Sequence, residues 1–322
     1  MKFPLTFEDY KSLYYYIKLV REFEESILRL YRQSKIVGGA FTGYGNEATS
    51  VGSAFCLNKN DYLFPMHRDI GAHFVKGQSV KKIMAQHLAR ATGPAKGRDG
   101  TGHYADADLR IFGNISHLGA MIPMATGMAL ASKLKKEKSV ALTYIGDGGS
   151  SIGDFHESLV MASVMKLPLI LIIENNQYAY STPISKQFNV EKLSDRAIGY
   201  GIPGFTIDGT DVEEVIKITN EACERARNGD GPTLIESITM RMHGHSAHDG
   251  AEYVPKELMN EWKEKDPVIN FEKKLIDKKI ISNEFKIETE SKIKKEIDEA
   301  IEFALNSPFP NGEDALVGLF SE

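Results

Sequence analysis

Near the start of the chain, apolar residues recur at helical spacing. Ile17, Val20, Phe23, Ile27, Leu30 and Tyr31 fall on one stripe, with Lys, Arg and Glu between them. The pattern predicts an amphipathic helix over about 7–35. The middle has a different rhythm. "SVALTYIG" (139–146), "LPLILIIENN" (167–176) and "GPTLIESITM" (231–240) are apolar along their length, and "DYLF" (61–64) is a shorter strand. Between them, "DFHESLVMASVMK" puts Phe155, Leu159, Ala162 and Met165 on one helical stripe, and "VEEVIKITNEACERARNG" is a second helix. Strands apolar on both faces, separated by helices, predict an α/β fold with a mostly parallel sheet and helices on both faces. The stretch from about 256 to 322 is charged and helical. The whole, 1–322, reads as one domain with helical N- and C-terminal flanks.

The strand ends carry the chemistry. Asp147 follows one apolar run, in "GDGG", and Asn175 and Asn176 close the next. In an open parallel sheet, ligands sit off the carboxyl ends of the strands. Neighbouring ends would thus offer a carboxylate and amide oxygens to one crevice. Such hard oxygen ligands suit Mg2+, and Gly146, Gly148 and Gly149 let the backbone approach a diphosphate. A nicotinamide fingerprint fails, because Ser151 stands where its third glycine belongs. A Walker loop would need Gly-Lys-Ser/Thr, which is absent. On spacing alone, glycines and asparagines that merely punctuate turns stay an open reading. The glycine-rich stretch 91–120 has little periodicity, and a loop of that length inside a domain is usually functional or mobile.

Composition narrows the class. The 322 residues carry a formal charge of -5, without the basic surplus of a nucleic-acid binder. The two cysteines, Cys56 and Cys223, give no disulfide framework. The start, "MKFPLTFEDYKSLYYY", has neither a signal-peptide nor a transit-peptide character. "LPLILII" is far short of a membrane span. These features lead to the expectation of a soluble cytoplasmic protein with no membrane partner.

Several ordered motifs now bear on the question: "REFEESILRLYRQSKIVGG", "GYGNEATSVG", "GRDGTGHY", "GAMIPMATGMALA", "GDGGSSIGDFHE…ENNQYAYSTP", "YGIPGFTIDGTD" and "GPTLIESITMRMHGHSAHD". Over nearly its whole length the sequence resembles the alpha subunit of the dehydrogenase (decarboxylating) component of 2-oxo acid dehydrogenase complexes. The members act on pyruvate, branched-chain 2-oxo acids or acetoin. The resemblance implies the thiamin-diphosphate-binding fold, with thiamine diphosphate and Mg2+ as cofactors. It implies Asp147, Asn176 and the Tyr178 carbonyl as metal ligands, and Arg68 and Arg241 on the diphosphate, where a guanidinium fork suits phosphate oxygens. His67, Gly146, Gly148 and Gly149 would line the cofactor. Ser116 and Leu118 would contact its aminopyrimidine, Leu118 wedging it into a bent form. His245 matches the active-site histidine, as phosphate ligand or proton donor. Ser246 sits where some relatives are phosphorylated; a phosphate there would repel the anionic cofactor.

The same resemblance implies partners. No motif for a second, pyrimidine-binding domain is present, so a beta subunit would supply the glutamate that protonates the aminopyrimidine, in a heterotetramer of two alpha and two beta chains. A lipoyl acyltransferase would take the acyl group of the 2-oxo acid. Three departures touch substrate choice: His67 where relatives often have tyrosine, Asp99 where many have a small residue, and "SSIG" in place of asparagine-glutamine-glycine. "ISHLGA" is closer to the branched-chain members. Alternatives are an acetoin dehydrogenase, a transketolase-like half, or a non-catalytic diphosphate-binding regulatory subunit. His243, His245 and His248 with Asp249 read alternatively as a zinc cluster, without a standard ligand geometry, or as a solvated loop.

Overall fold

The computed structural model describes residues 4–100 and 102–318. Its sheet uses β1 (Tyr62–Phe64), β2 (Ala141–Gly146), β3 (Leu169–Asn175), β6 (Gly204–Asp208) and β7 (Thr233–Ile238), while β4 (Tyr178–Ala179) and β5 (Thr182–Pro183) form a separate small hairpin. The sheet order is β1-β2-β3-β7-β6, and every pairing in it is parallel.

Alternation along the strands divides the core between two faces. Val140, Leu142 and Tyr144 of the β2 region and Ile170 and Ile172 of β3 join one cluster with Val51, Val215 and Ile216. The intervening residues go the other way. Ala141 and Leu169 meet Ala125, Ala129 and Ala162, while Ile145, Leu171 and Ile173 meet Ile122, Phe155 and Leu159. Both faces are therefore covered by helix, which is why the strands are apolar throughout. On the stripe expected for Gly153–Val164, Phe155, Leu159 and Ala162 are buried, but Met165 is 38% exposed because the helix has already ended there. β6 lacks the apolar run of a central strand: as an edge strand it buries only Ile207.

Helix Glu47–Phe55 is the central packing element. Its small residues are buried between the sheet and the outer helices. Ser53 Oγ lies 2.7 Å from the Tyr144 hydroxyl, and Thr49 Oγ1 lies 2.6 Å from Ser237 Oγ. The first helix, Phe7–Arg32, starts at Thr6, whose side chain accepts from the Asp9 amide while Asp9 accepts from the Thr6 amide in return. It buries Leu13, Ile17, Val20, Phe23 and Ile27. Against it lie C-terminal helices Pro267–Asp277 and Asn283–Asn306. Helix Lys256–Lys263 packs elsewhere, its Trp262 clustering with Tyr178, Met240 and Val254.

One ion-pair network joins these layers. Arg21 donates to Glu47 Oε1 at 2.6 Å and, through both terminal nitrogens, to Asp266 at 3.0 and 3.1 Å. All three residues are buried, and the guanidinium lies 3.6 Å over the Tyr44 ring. Removing the cation would leave two carboxylates uncompensated in a dry interior, so Arg21→Met is expected to cost about 3–5 kcal/mol in urea unfolding. A loss below about 1 kcal/mol would show that the network is not needed for stability.

Candidate functional site

Register brings the strand ends together. Gly146 of β2 stands opposite Glu174 of β3, and the Asp147 amide donates to the Glu174 carbonyl at 3.2 Å. Beyond this point the chain turns at Asp147 on one strand and Asn176 on its neighbour. Beside them, the carboxyl end of β1 delivers His67 and Arg68, and that of β7 delivers Arg241 and His245. The loop before helix Met121–Leu134 brings Ser116 and Leu118 to the opposite wall.

These residues enclose a cavity of about 700 Å3, lined by His67, Arg68, Ser116, Leu118, Gly146, Asp147, Gly148, Gly149, Asn176, Tyr178, Arg241 and His245. Those twelve are the positions expected from sequence. Phe41, Glu174, Tyr180 and His103 share the lining. Tyr180 falls within "ENNQYAYSTP", whereas nothing in the sequence pattern near Phe41 sets it apart. Asn175 takes a different course from Asn176. Strand alternation turns its amide toward β7, where Nδ2 donates to Glu236 Oε1 at 2.8 Å, so only Asn176 of the pair reaches the crevice.

The polar groups are held from outside the cavity. Asp147 is 2% exposed, and Gln187 Nε2 donates to its Oδ2 at 2.6 Å. Burial raises the Asp147 carboxyl above its ordinary range, opposed by the Gln187 bond. Ser150 Oγ donates to the Asp147 carbonyl at 2.6 Å, and Arg196 donates to the Ser150 carbonyl at 2.6 Å. Asn176 Oδ1 is buried without a hydrogen-bond partner, as is Arg68 Nε. Native interiors rarely leave such atoms unsatisfied. An oxygen acceptor aimed at a carboxylate-lined pocket fits a cation, and a free guanidinium N–H fits an anion.

The arginines differ. Arg68 donates to the His245 carbonyl at 2.5 Å, and burial lowers its pKa to about 10, with the nearby Arg241 charge adding to the effect. Arg241 donates to the carbonyls of Tyr178, Tyr180 and His243 at 3.2, 2.8 and 3.3 Å, and to the Tyr253 hydroxyl at 2.7 Å. It thereby ties hairpin β4-β5 to the loop after β7. Glu174, in the lining, and its neighbour Asp69 are fully buried. Burial, with each carboxyl beside the other, raises both above the ordinary carboxylate range, Glu174 the further.

The histidine-rich loop is not a metal cluster. His245 packs against the Phe41 and Tyr180 rings at 5.7 and 4.5 Å, while His243 lies 4.2 Å from the Tyr44 ring. His248 is exposed. Among the described residues, no group of three or more His, Cys, Asp or Glu could hold a metal ion. Burial, then the charges of Arg68 and Arg241, lower His245 to about 4, so its imidazole is neutral. Burial likewise lowers His67 to about 3. Ser246 is 5% exposed, with Oγ 3.1 Å from His248 Nδ1, so this loop would have to open before Ser246 met another enzyme.

Glycine is required at two close approaches. A Cβ at Gly148 would lie 2.5 Å from the Ala179 methyl, and one at Gly43 would lie 2.2 Å from the Arg68 carbonyl. The first contact seats the hairpin on the turn after Asp147; the second seats the chain beneath Arg68.

The fold and the cavity define an α/β protein in which charged and amide side chains converge, among apolar walls, at the carboxyl edge of its sheet. Residues 15–313 match the model of the dehydrogenase E1 component family, and the chain belongs to that family. It is similar to the alpha subunit of 2-oxoisovalerate dehydrogenase of Bacillus subtilis, at 38% identity over 97% of this chain and 95% of that protein. It is also similar to the alpha subunit of acetoin:2,6-dichlorophenolindophenol oxidoreductase of the same organism, at 34% identity over 98% and 95%. A third relative is the pyruvate dehydrogenase E1 component subunit alpha of Porphyra purpurea, at 33% identity over 96% and 92%. Among the described residues, no helix is long and apolar enough to cross a membrane.

Gly148→Ala is expected to push the hairpin off the turn and lower stability by about 1–3 kcal/mol in thermal or urea unfolding. An unchanged midpoint would show that the turn yields without cost.

Proposed function

We propose that this chain is the alpha subunit of a thiamine-diphosphate-dependent, decarboxylating 2-oxo acid dehydrogenase. Its substrate would be a branched-chain 2-oxo acid or pyruvate, and its product acyl group would pass to a lipoyl group on a partner acyltransferase. The observation that carries the reading is the buried Asp147 carboxylate beside the buried, unpartnered Asn176 amide oxygen at adjacent strand ends. Hard oxygens of this kind suit Mg2+.

Each residue then has a task. Asp147, Asn176 and the Tyr178 carbonyl would hold the metal. Arg68, with its free Nε, would face the diphosphate, and Arg241 would keep the Tyr178 carbonyl in place beside it. Gly146, Gly148 and Gly149 let main chain come close to phosphate oxygens. Ser116 and Leu118, across the cavity, would face the pyrimidine end. When bound, thiamine diphosphate supplies the electron sink that accepts the electron pair left as carbon dioxide departs. His245, neutral and wedged between Phe41 and Tyr180, would offer one ring nitrogen to phosphate or substrate. Phe41 and Leu118 add apolar surface to the cavity wall.

A beta subunit is part of the proposal, in a heterotetramer of two alpha and two beta chains. In its support, Met124, Val160, Met161, Val164 and Ile198 are 46%, 50%, 39%, 80% and 81% exposed on neighbouring helices of one sheet face. So much exposed apolar surface marks a protein contact.

The test is decarboxylation with an artificial electron acceptor, using the chain co-expressed with the beta subunit, thiamine diphosphate and Mg2+. Turnover of 3-methyl-2-oxobutanoate or pyruvate is expected only when both chains are present. Asp147→Ala should lower it by more than about a hundredfold, since loss of a group that merely supports a ligand already costs 10–100-fold. Turnover of acetoin alone would transfer the reading to the acetoin-oxidising members. No turnover on any of these substrates, with the cofactor bound, would contradict a catalytic role.

A further inference from the structure

Asp99, His103 and Ser116 form a continuous relay at the mouth of the cavity. His103 Nδ1 lies 3.0 and 3.1 Å from the two Asp99 carboxylate oxygens, and His103 Nε2 lies 2.6 Å from Ser116 Oγ. Asp99 Oδ1 also accepts the Gly100 amide at 2.6 Å, which fixes the plane of the carboxylate. His103 and Ser116 line the cavity, while Asp99 sits behind them.

The donor and acceptor roles follow from valence. A carboxylate can only accept, so Nδ1 carries the imidazole hydrogen. In the neutral ring, Nε2 is then a lone pair and can only accept. Ser116 has one hydroxyl hydrogen and spends it on Nε2. What remains toward the cavity is oxygen lone pair. The same residue order orients the histidine of serine hydrolases through the carboxylate on Nδ1.

We propose that Asp99 and His103 are positioning residues that fix the sense of the Ser116 hydroxyl, so that the cavity accepts a hydrogen bond from an amino group of its ligand and disfavours a carbonyl in the same place. The inference rests on the thiamine diphosphate reading and adds the feature by which an aminopyrimidine is told from an oxopyrimidine. A carbonyl there would bring two acceptors face to face, one of them desolvated.

The test compares thiamine diphosphate with oxythiamine diphosphate, in which an oxo group replaces the amino group. Both are titrated calorimetrically with Mg2+ at pH 8, above the range in which imidazoles ordinarily take up a proton, into the complex of this chain with the beta subunit. Thiamine diphosphate is expected to bind about tenfold more tightly or better. In Asp99→Asn, the amide oxygen stays on the Gly100 N–H and the amide NH2 faces Nδ1. The imidazole hydrogen moves to Nε2, Ser116 donates into the cavity, and the preference should fall about tenfold or reverse. Ser116→Ala should remove it. The ratio of the two affinities is the readout, because general damage to the site lowers both together. A ratio within about twofold of the wild type in Asp99→Asn or Ser116→Ala, with both ligands bound, would overturn the relay alone. Failure of the wild-type complex to bind either ligand would overturn the cofactor reading and the relay with it.

Discussion

The parallel register of β2 and β3 is the constraint on which the site depends. Because Gly146 is paired with Glu174, the two strands end level with each other. Asp147 and Asn176 then emerge side by side, one with a carboxylate and the other with an unpaired amide oxygen. A slip of one residue would turn each side chain to the opposite face of the sheet. Such a slip would also exchange Ile170 and Leu171 between two differently packed cores. Hydrophobic burial, spread over both layers, thus fixes the position of two polar residues at its edge.

The same division of labour extends outward. The strand ends place the polar atoms, and the surrounding chain immobilises them. Gln187 holds Asp147, Arg241 stitches the hairpin to the last loop, and the aromatic rings of Phe41 and Tyr180 confine His245. Further back, Arg21 joins the N-terminal helix to the central helix and the C-terminal flank through Glu47 and Asp266. The site is built from segments remote in sequence.

Much of this was legible in the sequence, for identifiable reasons. Strands buried on both faces write themselves as apolar runs, so the central β2, β3 and β7 and the buried edge strand β1 could be read directly. The edge strand β6 could not: Gly204 and Phe205 are exposed and only Ile207 turns inward. Residues at strand ends could be named from "GDGG" and "ENN" because strand ends are where such sheets bind ligands. The opposite orientations of Asn175 and Asn176 needed the position of β7, a neighbour not adjacent in sequence. Gln187 and Tyr253 were missed for the same reason, since only tertiary packing brings them to the site. The histidines after β7 looked like a cluster, but Tyr44 and Phe41 draw His243 and His245 to different neighbours.

In the proposed function, adjacent strand ends hold a divalent cation that in turn holds a diphosphate. The most direct measurement is the affinity of the assembled complex for thiamine diphosphate, with and without Mg2+, in the wild type and in Asn176→Leu. Mg2+ is expected to tighten wild-type binding by at least about a hundredfold, and Asn176→Leu to lose nearly all of that gain. Affinity that is the same with and without Mg2+, or a full Mg2+ effect surviving in Asn176→Leu, would contradict it.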